Sequence, residues 1–227
     1  MKPRSCVVVF AKSPRLGAVK TRFTPPLSAR QALELHRACL LGTLRVVLSL
    51  PSTIEKALYW SGKESFHLPR GWRPKLVVRR QRGMDLGARM SNAIAELLER
   101  GYERVMIIGS DHPTLARARL LEALRRLERA EVALGPSLDG GYYLVACRRW
   151  IPAMFQEISW GTSRVFRSTR ARLARLGVRL SILEPWYDVD RPSDLARARR
   201  NLARRPKDRT YPIELTGFLS RVGKGIS

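Results

Sequence analysis

Short β-branched runs that break off into charged residues, with helical patterns between them, restrict the fold of this chain more than any other feature. CVVVF (Cys6–Phe10) runs into AKSPRLGAVKTR, and VMIIG (Val105–Gly109) runs into Ser110-Asp111-His112-Pro113. Strands alternating with helices build an α/β fold around a mostly parallel sheet. In such a sheet, ligands settle outside the carboxyl ends of the strands. Cations and carboxylates gathered at several of those ends therefore point to one site, suited to a phosphorylated ligand and a divalent metal.

The periodicities fill in the rest. Ser28 is a plausible N-cap for a helix carrying Leu33, Leu40, Leu41, Leu44, Val47 and Leu48 up to Pro51. Lys56–Trp60 and Lys75–Arg79 read as strands around a loop rich in Gly, Pro and aromatics. Asp85 opens a second helix that Gly101 stops, and Arg104–Gly109 is a central strand. A third helix runs from Leu115 to about Leu127, followed by strands at Glu131–Gly135 and Gly141–Cys147. Thr162 or Ser163 caps a further helix, Val178–Leu183 is a late strand, and Pro192–Asn201 is the final helix. The basic stretch from Leu202 onward reads as a peripheral tail, although Tyr211-Pro212-Ile213 and Phe218-Leu219 could dock on the core.

With 227 residues, 44% hydrophobic and 27% charged, the chain has the composition of one globular α/β domain. No apolar run approaches the roughly 20 residues of a membrane span. The apolar stretch Cys6–Ala11 is cut by Lys12, too short for a signal peptide, so a cytoplasmic location is expected. Cys6, Cys39 and Cys147 are widely spaced without a CxxC pair, which suggests buried free thiols. The formal net charge of +24 would attract nucleic acid, acidic membranes or other polyanions non-specifically. Its arginines are spread over nearly every predicted helix, without the interleaved aromatics of a base-stacking platform.

Lys12, Arg15, Lys20 and Arg22 cluster in the first loop, where Gly17 lets the backbone turn. They could balance a di- or triphosphate, since phosphoryl-type chemistry relies mainly on positioning and charge. The loop carries neither GxxxxGK[ST] nor GxGxxG, and its plainer reading is a basic surface loop. Asp111 is either a turn former before His112-Pro113 or a ligand for Mg²⁺ or Mn²⁺, which take one or two carboxylates plus substrate phosphates. His112 reads as incidental.

Asp139-Gly140-Gly141-Tyr142 is a tight turn, or a place where backbone approaches a ligand and Asp139 binds a hydroxyl or metal. Asp190 is explained as the N-cap ahead of Pro192, whereas Asp188 has no such duty and is the better metal candidate. Gln81-Arg82-Gly83-Met84-Asp85 is a loop and N-cap, or a segment that packs on a nucleotide.

In combination these stretches resemble a known family. AKSPRLGAVKTRFTPPLS, QRGMDLGARM, VMIIGSDHPTL, VALGPSLDGGYYLVA, ISWGTSRV and WYDVDRPSDL, between about Val7 and Leu195, resemble the DUF2064 family in order and spacing. Its members are inferred glycosyltransferases, described as radical-SAM/selenodomain-associated or arsenosugar-biosynthesis transferases. The family is similar to the nucleotide-diphospho-sugar transferase (GT-A) superfamily, with molybdenum cofactor guanylyltransferase and 2-phospholactate guanylyltransferase as more distant relatives. Phe23, in place of the usual leucine, and His112, at a variable position, are departures.

The resemblance implies a three-layer α/β/α, GT-A-like fold over residues 1–201, with a mostly parallel mixed sheet and 202–227 as the tail. It implies a Mg²⁺ or Mn²⁺ ion at Asp111, with Asp188 as a second ligand. Phosphate or nucleotide contacts are expected from Lys12, Lys20, Thr21, Arg22, Gln81, Gly83 and Asp85. The acceptor or sugar is expected at Gly140, Gly141 and Tyr142, with Asp139 and Asp188 as catalytic candidates.

Three activities follow. The first is metal-dependent glycosyl transfer from a nucleotide-sugar to a small acceptor. The second joins an NTP to a phosphorylated small molecule and releases pyrophosphate. The third, warranted only by charge, is nucleic-acid binding on a degenerate enzyme scaffold. The aspartates speak against the third, because a binder of polyanions has little use for them.

Overall fold

The computed structural model describes residues 4–62 and 68–223. Seven strands form one sheet: β1 (Ser5–Lys12), β2 (Ile54–Ser61), β3 (Val77–Arg80), β4 (Arg104–Gly109), β5 (Val132–Pro136), β6 (Tyr142–Cys147) and β7 (Leu180–Ile182). Their order is β3-β2-β1-β4-β6-β5-β7. Neighbours run parallel except at β6, which is antiparallel to both β4 and β5. β1 and β4 lie side by side, so the loops after them emerge together at the point where the chain winds off in opposite directions. This is where a doubly wound sheet opens a crevice.

The period of two in β1 divides its side chains between two cores. Val7, Val9 and Ala11 face one, and Cys6, Val8 and Phe10 face the other. On the first face pack α1 (Ala29–Leu48) through Leu40, Leu44 and Val47, and α3 (Arg117–Arg126) through Leu120, Ala123 and Leu124. On the second pack α2 (Leu86–Glu99) through Met90, Ala93, Ile94 and Leu97, and α4 (Val165–Arg175) through Leu173. The result is the three-layer α/β/α arrangement with a mostly parallel mixed sheet. Ser28 starts α1 with a capping box, its Oγ accepting from the Gln31 amide at 3.2 Å while Gln31 Oε1 accepts from the Ser28 amide at 2.9 Å.

Several boundaries shift from the sequence expectation. The second strand extends to Ile54–Ser61, and the third begins only at Val77 because Arg73–Lys75 forms a 3-10 turn. Part of the loop between them, residues 63–67, lies outside the described residues. The third helix is shorter, starting at Arg117. Neither Thr162 nor Ser163 is the N-cap of α4. That position is Arg164, and the Thr162 hydroxyl instead donates to the Ser159 carbonyl at 2.8 Å.

The helix at Pro192–Ala203, α5, is not the last. Residues Ile213–Arg221 form α6, so the stretch expected as a peripheral tail is largely built into the fold. Leu215, Phe218 and Leu219 of α6 meet Leu35 and Cys39 of α1 and Leu195, Ala198 and Leu202 of α5 in a third core. Residues 224–227 of that stretch lie outside the described residues.

Cys6, Cys39 and Cys147 are buried and free, and burial pushes each thiol up to about 12. Among the described residues, no helix is long and apolar enough to cross a membrane.

Candidate active site

β1 ends at Lys12, and the loop after it folds back so that Lys20 enters the protein rather than solvent. The Lys20 side chain is only 3% exposed, with its Nζ 2.7 Å from Asp111 Oδ1 and 3.6 Å from Asp190 Oδ1. It also donates to the Val189 carbonyl oxygen. Its backbone sits at φ 50°, in the left-handed region that a β-carbon disfavours. A buried ammonium contact thus accompanies local strain, a combination common at functional sites. Burial pulls the Lys20 ammonium down, but Asp111 and Asp190 more than reverse this, and the group ends above its ordinary value. Burial raises the Asp111 carboxyl, yet Lys20 outweighs it and holds Asp111 below the usual carboxylate range.

Asp190 is not the cap its position before Pro192 suggests. The N-cap of α5 is Arg191, and Asp194 Oδ2 takes the Asp190 and Arg191 amides at 3.0 and 2.7 Å. Asp190 is thereby free to pair with Lys20 and Arg22. The loop after β1, the end of β4 and the segment before α5 are joined by these charges.

Around this junction lie two cavities of about 610 and 540 Å³, which share Phe10, Lys12, Arg22, Asp111, Trp160 and Asp190 and so form one cleft. The first adds the cations Lys20 and Arg89, and the neutral Thr21 and Gln81, to the shared Lys12 and Arg22. Among the described residues Lys12 has no ion-pair partner, whereas Arg22 is held by Asp190. The second cavity carries the carboxylates, with Asp139 and Asp188 joining Asp111 and Asp190. Gly141 and Tyr142 line it as well.

Three expected contacts are turned elsewhere. Asp85 is the N-cap of α2, its Oδ1 accepting from the Ala88 amide at 2.7 Å, and Gly83 accepts from Arg89 Nε at 3.0 Å. Neither lines the cleft. Gly140 does not line it either, since a β-carbon there would stand 2.1 Å from the Ser163 carbonyl oxygen. Its role is to seat the 139–141 turn on the start of α4, where its carbonyl accepts from the Phe166 amide at 2.9 Å.

Two further residues reach the cleft with part of their polar groups committed. Gln81 Nε2 donates to the Ala11 and Tyr59 carbonyls at 3.1 and 2.9 Å, so it braces β1 against β2. Tyr142 presents its ring, while its hydroxyl lies beside Thr169 and burial pushes it above its ordinary value.

Asp188 is more constrained than a surface carboxylate. Its Oδ1 accepts from Ser137 Oγ at 2.8 Å and lies 3.2 Å from His112 Nδ1. Burial raises the Asp188 carboxyl, His112 draws it back, and Asp139 and Asp111 raise it again, with a net upward shift. His112, read from the sequence as incidental, is buried with its Nδ1 between Asp188 Oδ1 and the Tyr187 carbonyl oxygen, at 3.2 and 3.3 Å.

Sequence reasoning also missed His36 and Trp160. His36 Nε2 donates to the Lys12 carbonyl at 3.0 Å, and burial lowers its pKa. Trp160 forms the wall between α2 and β6. Its ring stands where a β-carbon on Gly87 would lie, 2.6 Å from its Cζ2, and meets Tyr142 edge-on at 6.3 Å. The pairing of a helix-start glycine with a tryptophan more than seventy positions away leaves no local signal.

The donor set suits a hard divalent cation. Asp111, Asp139, Asp188 and Asp190 face one cavity, and burial first, then Asp139 and Asp111, raise the Asp188 carboxyl. Among the described residues no three His, Cys, Asp or Glu close into a metal cage. Mg²⁺ and Mn²⁺ need none, because they take one or two carboxylates and complete their shell with phosphate oxygens and water.

This chain is similar to known structures over nearly its whole length. A proposed nucleotide-diphospho-sugar transferase from Desulfovibrio desulfuricans G20 is 28% identical, with a TM-score of 0.83, covering 97% of this chain and 98% of that one. A 4-diphosphocytidyl-2C-methyl-D-erythritol synthase is 13% identical, with a TM-score of 0.57 and coverage of 89% and 99%. A CMP:2-keto-3-deoxy-manno-octonic acid synthetase complexed with CTP is 13% identical, with a TM-score of 0.51 and coverage of 88% and 98%. None of the curated proteins matches the chain. The fold is GT-A-like, that of nucleotide-diphospho-sugar transferases. The model of DUF2064, described as an uncharacterized protein conserved in bacteria, matches residues 43–162, more than half of the sequence, and the chain belongs to that family.

Proposed function

We propose that the protein is a metal-dependent transferase that uses a nucleotide-activated donor and moves its glycosyl group to a small acceptor. The observation that carries this reading is the charge gradient along one cleft: around the shared Lys12, Arg22, Asp111 and Asp190, one cavity adds Lys20 and Arg89 and the other adds Asp139 and Asp188. The relative from Desulfovibrio desulfuricans, named for nucleotide-diphospho-sugar transfer, supports it.

In this reading the donor diphosphate lies in the cationic cavity, where Lys12, Arg22 and Arg89 bind it and Trp160 walls it in. Asp111 and Asp188 would hold Mg²⁺ or Mn²⁺, which supplies positive charge to the diphosphate. The acceptor hydroxyl lies in the second cavity. Its oxygen forms the new bond to the anomeric carbon, the bond from that carbon to the diphosphate breaks, and the nucleoside diphosphate leaves with the electron pair. Asp188, with its carboxyl raised and its orientation set by His112 and Ser137, takes the hydroxyl proton. Asp139, whose Oδ1 already accepts from the Gly141 amide at 2.9 Å, positions the acceptor.

A second reading, nucleotidyl transfer, is favoured by the number of cations in the first cavity. Lys12, Lys20, Arg22 and Arg89 suit a triphosphate as well as a sugar diphosphate. A thermal-shift panel of nucleotide sugars and NTPs, each with and without Mn²⁺, separates the two. Stabilisation by nucleotide sugars supports glycosyl transfer, and stabilisation by NTPs alone supports nucleotidyl transfer. A response to neither sinks both. Asp111→Asn, which keeps the shape beside the buried Lys20 ammonium, should abolish the Mn²⁺-dependent part of binding. Unchanged calorimetric titration of nucleotide with Mn²⁺ would refute the metal role.

A further inference from the structure

A third cavity, of about 420 Å³, lies between the start of α3 and the end of α5 and shares no lining residue with the cleft. Four guanidiniums line it: Arg117, Arg204, Arg205 and Arg209. Among the described residues none of the four has an ion-pair partner within 4.0 Å. The single carboxylate in the lining, Asp208, is engaged by the Thr210 hydroxyl and amide at 2.6 and 2.8 Å.

Asp208 is the one carboxylate among these four guanidiniums, acting on Arg205 and Arg209, and Arg205 also donates to the Leu115 and Thr210 carbonyls, so the lining keeps an excess of positive charge. Two more features point the same way. α3 starts at this cavity with Ala116 at its N-cap, no side-chain cap and no acidic residue in its first turn, so its amides face an anion-favouring field uncompensated. Arg117 Nε and Trp186 Nε1 are buried without a hydrogen-bond partner, and both residues line the cavity. A buried donor left unpaired is costly, and an acceptor oxygen reaches these two only if the lining shifts toward it.

We infer that this cavity is a binding site for a small phosphate-bearing anion, separate from the catalytic cleft. Guanidiniums match phosphate oxygens two at a time, and a helix start adds backbone donors. A volume of about 420 Å³ suits a compact anion rather than a polymer. The site is also connected to the cleft. Tyr187 follows Trp186, and its hydroxyl is held by Thr114 Oγ1 at 2.8 Å and Asn201 Nδ2 at 3.1 Å, both cavity residues. Asp188 and Asp190, one and three positions on, line the cleft. Occupancy of the cavity therefore bears on the segment that presents these carboxylates. The inference stands whatever reaction the cleft performs.

The probe is inorganic pyrophosphate, titrated calorimetrically into three proteins: the wild type, Arg204→Gln/Arg209→Gln, and the cleft variant Lys12→Gln/Arg22→Gln. Arg204 and Arg209 are exposed and make no hydrogen bond that the fold needs, so their replacement leaves the protein folded. The expected result is one binding event lost or weakened by about tenfold per guanidinium removed in the cavity variant. The same event should survive in the cleft variant. A parallel titration with inorganic phosphate and with a hexose phosphate distinguishes a free anion from a phosphorylated metabolite. Pyrophosphate binding unchanged by Arg204→Gln/Arg209→Gln overturns the inference, as does an eight-nucleotide single strand that binds the wild type more tightly than any of these anions and loses affinity in that variant.

Discussion

Lys20 Nζ lies 2.7 Å from Asp111 Oδ1, a contact between a loop that follows the first strand and the turn that follows the fourth. β1 and β4 are hydrogen-bonded neighbours, so their carboxyl ends deliver both groups to the same place. Both residues line the cleft, and Lys20 holds the Asp111 carboxyl below the usual carboxylate range.

Replacing Lys20 with Met should cost about 2 kcal/mol of stability, less than a fully buried pair because Asp111 is 36% exposed. The pH dependence has two limbs. Asp111 is depressed in the folded state, so its contribution is present above its ordinary value of 3.8 and is lost as pH falls through the folded value. Lys20 is raised, so its contribution is complete below 10.5 and is lost as pH rises through its folded value. Urea denaturation with EDTA present, from pH 3 upward, should show the difference between wild type and variant constant in the middle and shrinking at the acid end. A difference that stays level into acid would remove the ion pair from the account.

Gly87→Ala tests the wall formed by Trp160. Within a helix the change normally gains up to about 1 kcal/mol, but here the new methyl meets the indole at 2.6 Å. The expected outcome is a net loss of about 1 kcal/mol, a shifted tryptophan emission and weaker nucleotide binding. Emission and binding like the wild type's would show that the wall gives way freely.

Phe218→Ala tests the docking of α6. Phe218 is fully buried, and such truncations cost about 3–5 kcal/mol. Thermal unfolding should report the loss as one cooperative transition at lower temperature. A change under about 1 kcal/mol would mean that α6 is an appendage after all.

How much of this was legible depended on whether a residue's role was local. The strand ends near Phe10 and at Gly109 were readable because β-branched runs are local, although β1 continues to Lys12, and their adjacency then followed from the sheet. Ser28 capped α1 as its spacing to Gln31 suggested. Asp190 misled because it satisfied a local rule, while its real partners, Lys20 and Arg22, lie about 170 positions away. His112 looked idle because its partner Asp188 is met only in the folded chain. For α6 the apolar residues Tyr211 and Phe218-Leu219 marked a segment able to dock, but the basic composition around them masked the helix on which Leu215, Phe218 and Leu219 recur.

β6 has a consequence of its own. As the one reversed strand, it brings its beginning, not its end, to the cleft, and the turn at 137–141 hangs from that beginning. Length and chemistry in that turn can change without moving the loops after β1 and β4, with Gly140 as the fixed point because Ser163 leaves it no room. A library confined to this turn would explore new recognition on an unaltered gripping half, a modularity already present in the direction of a single strand.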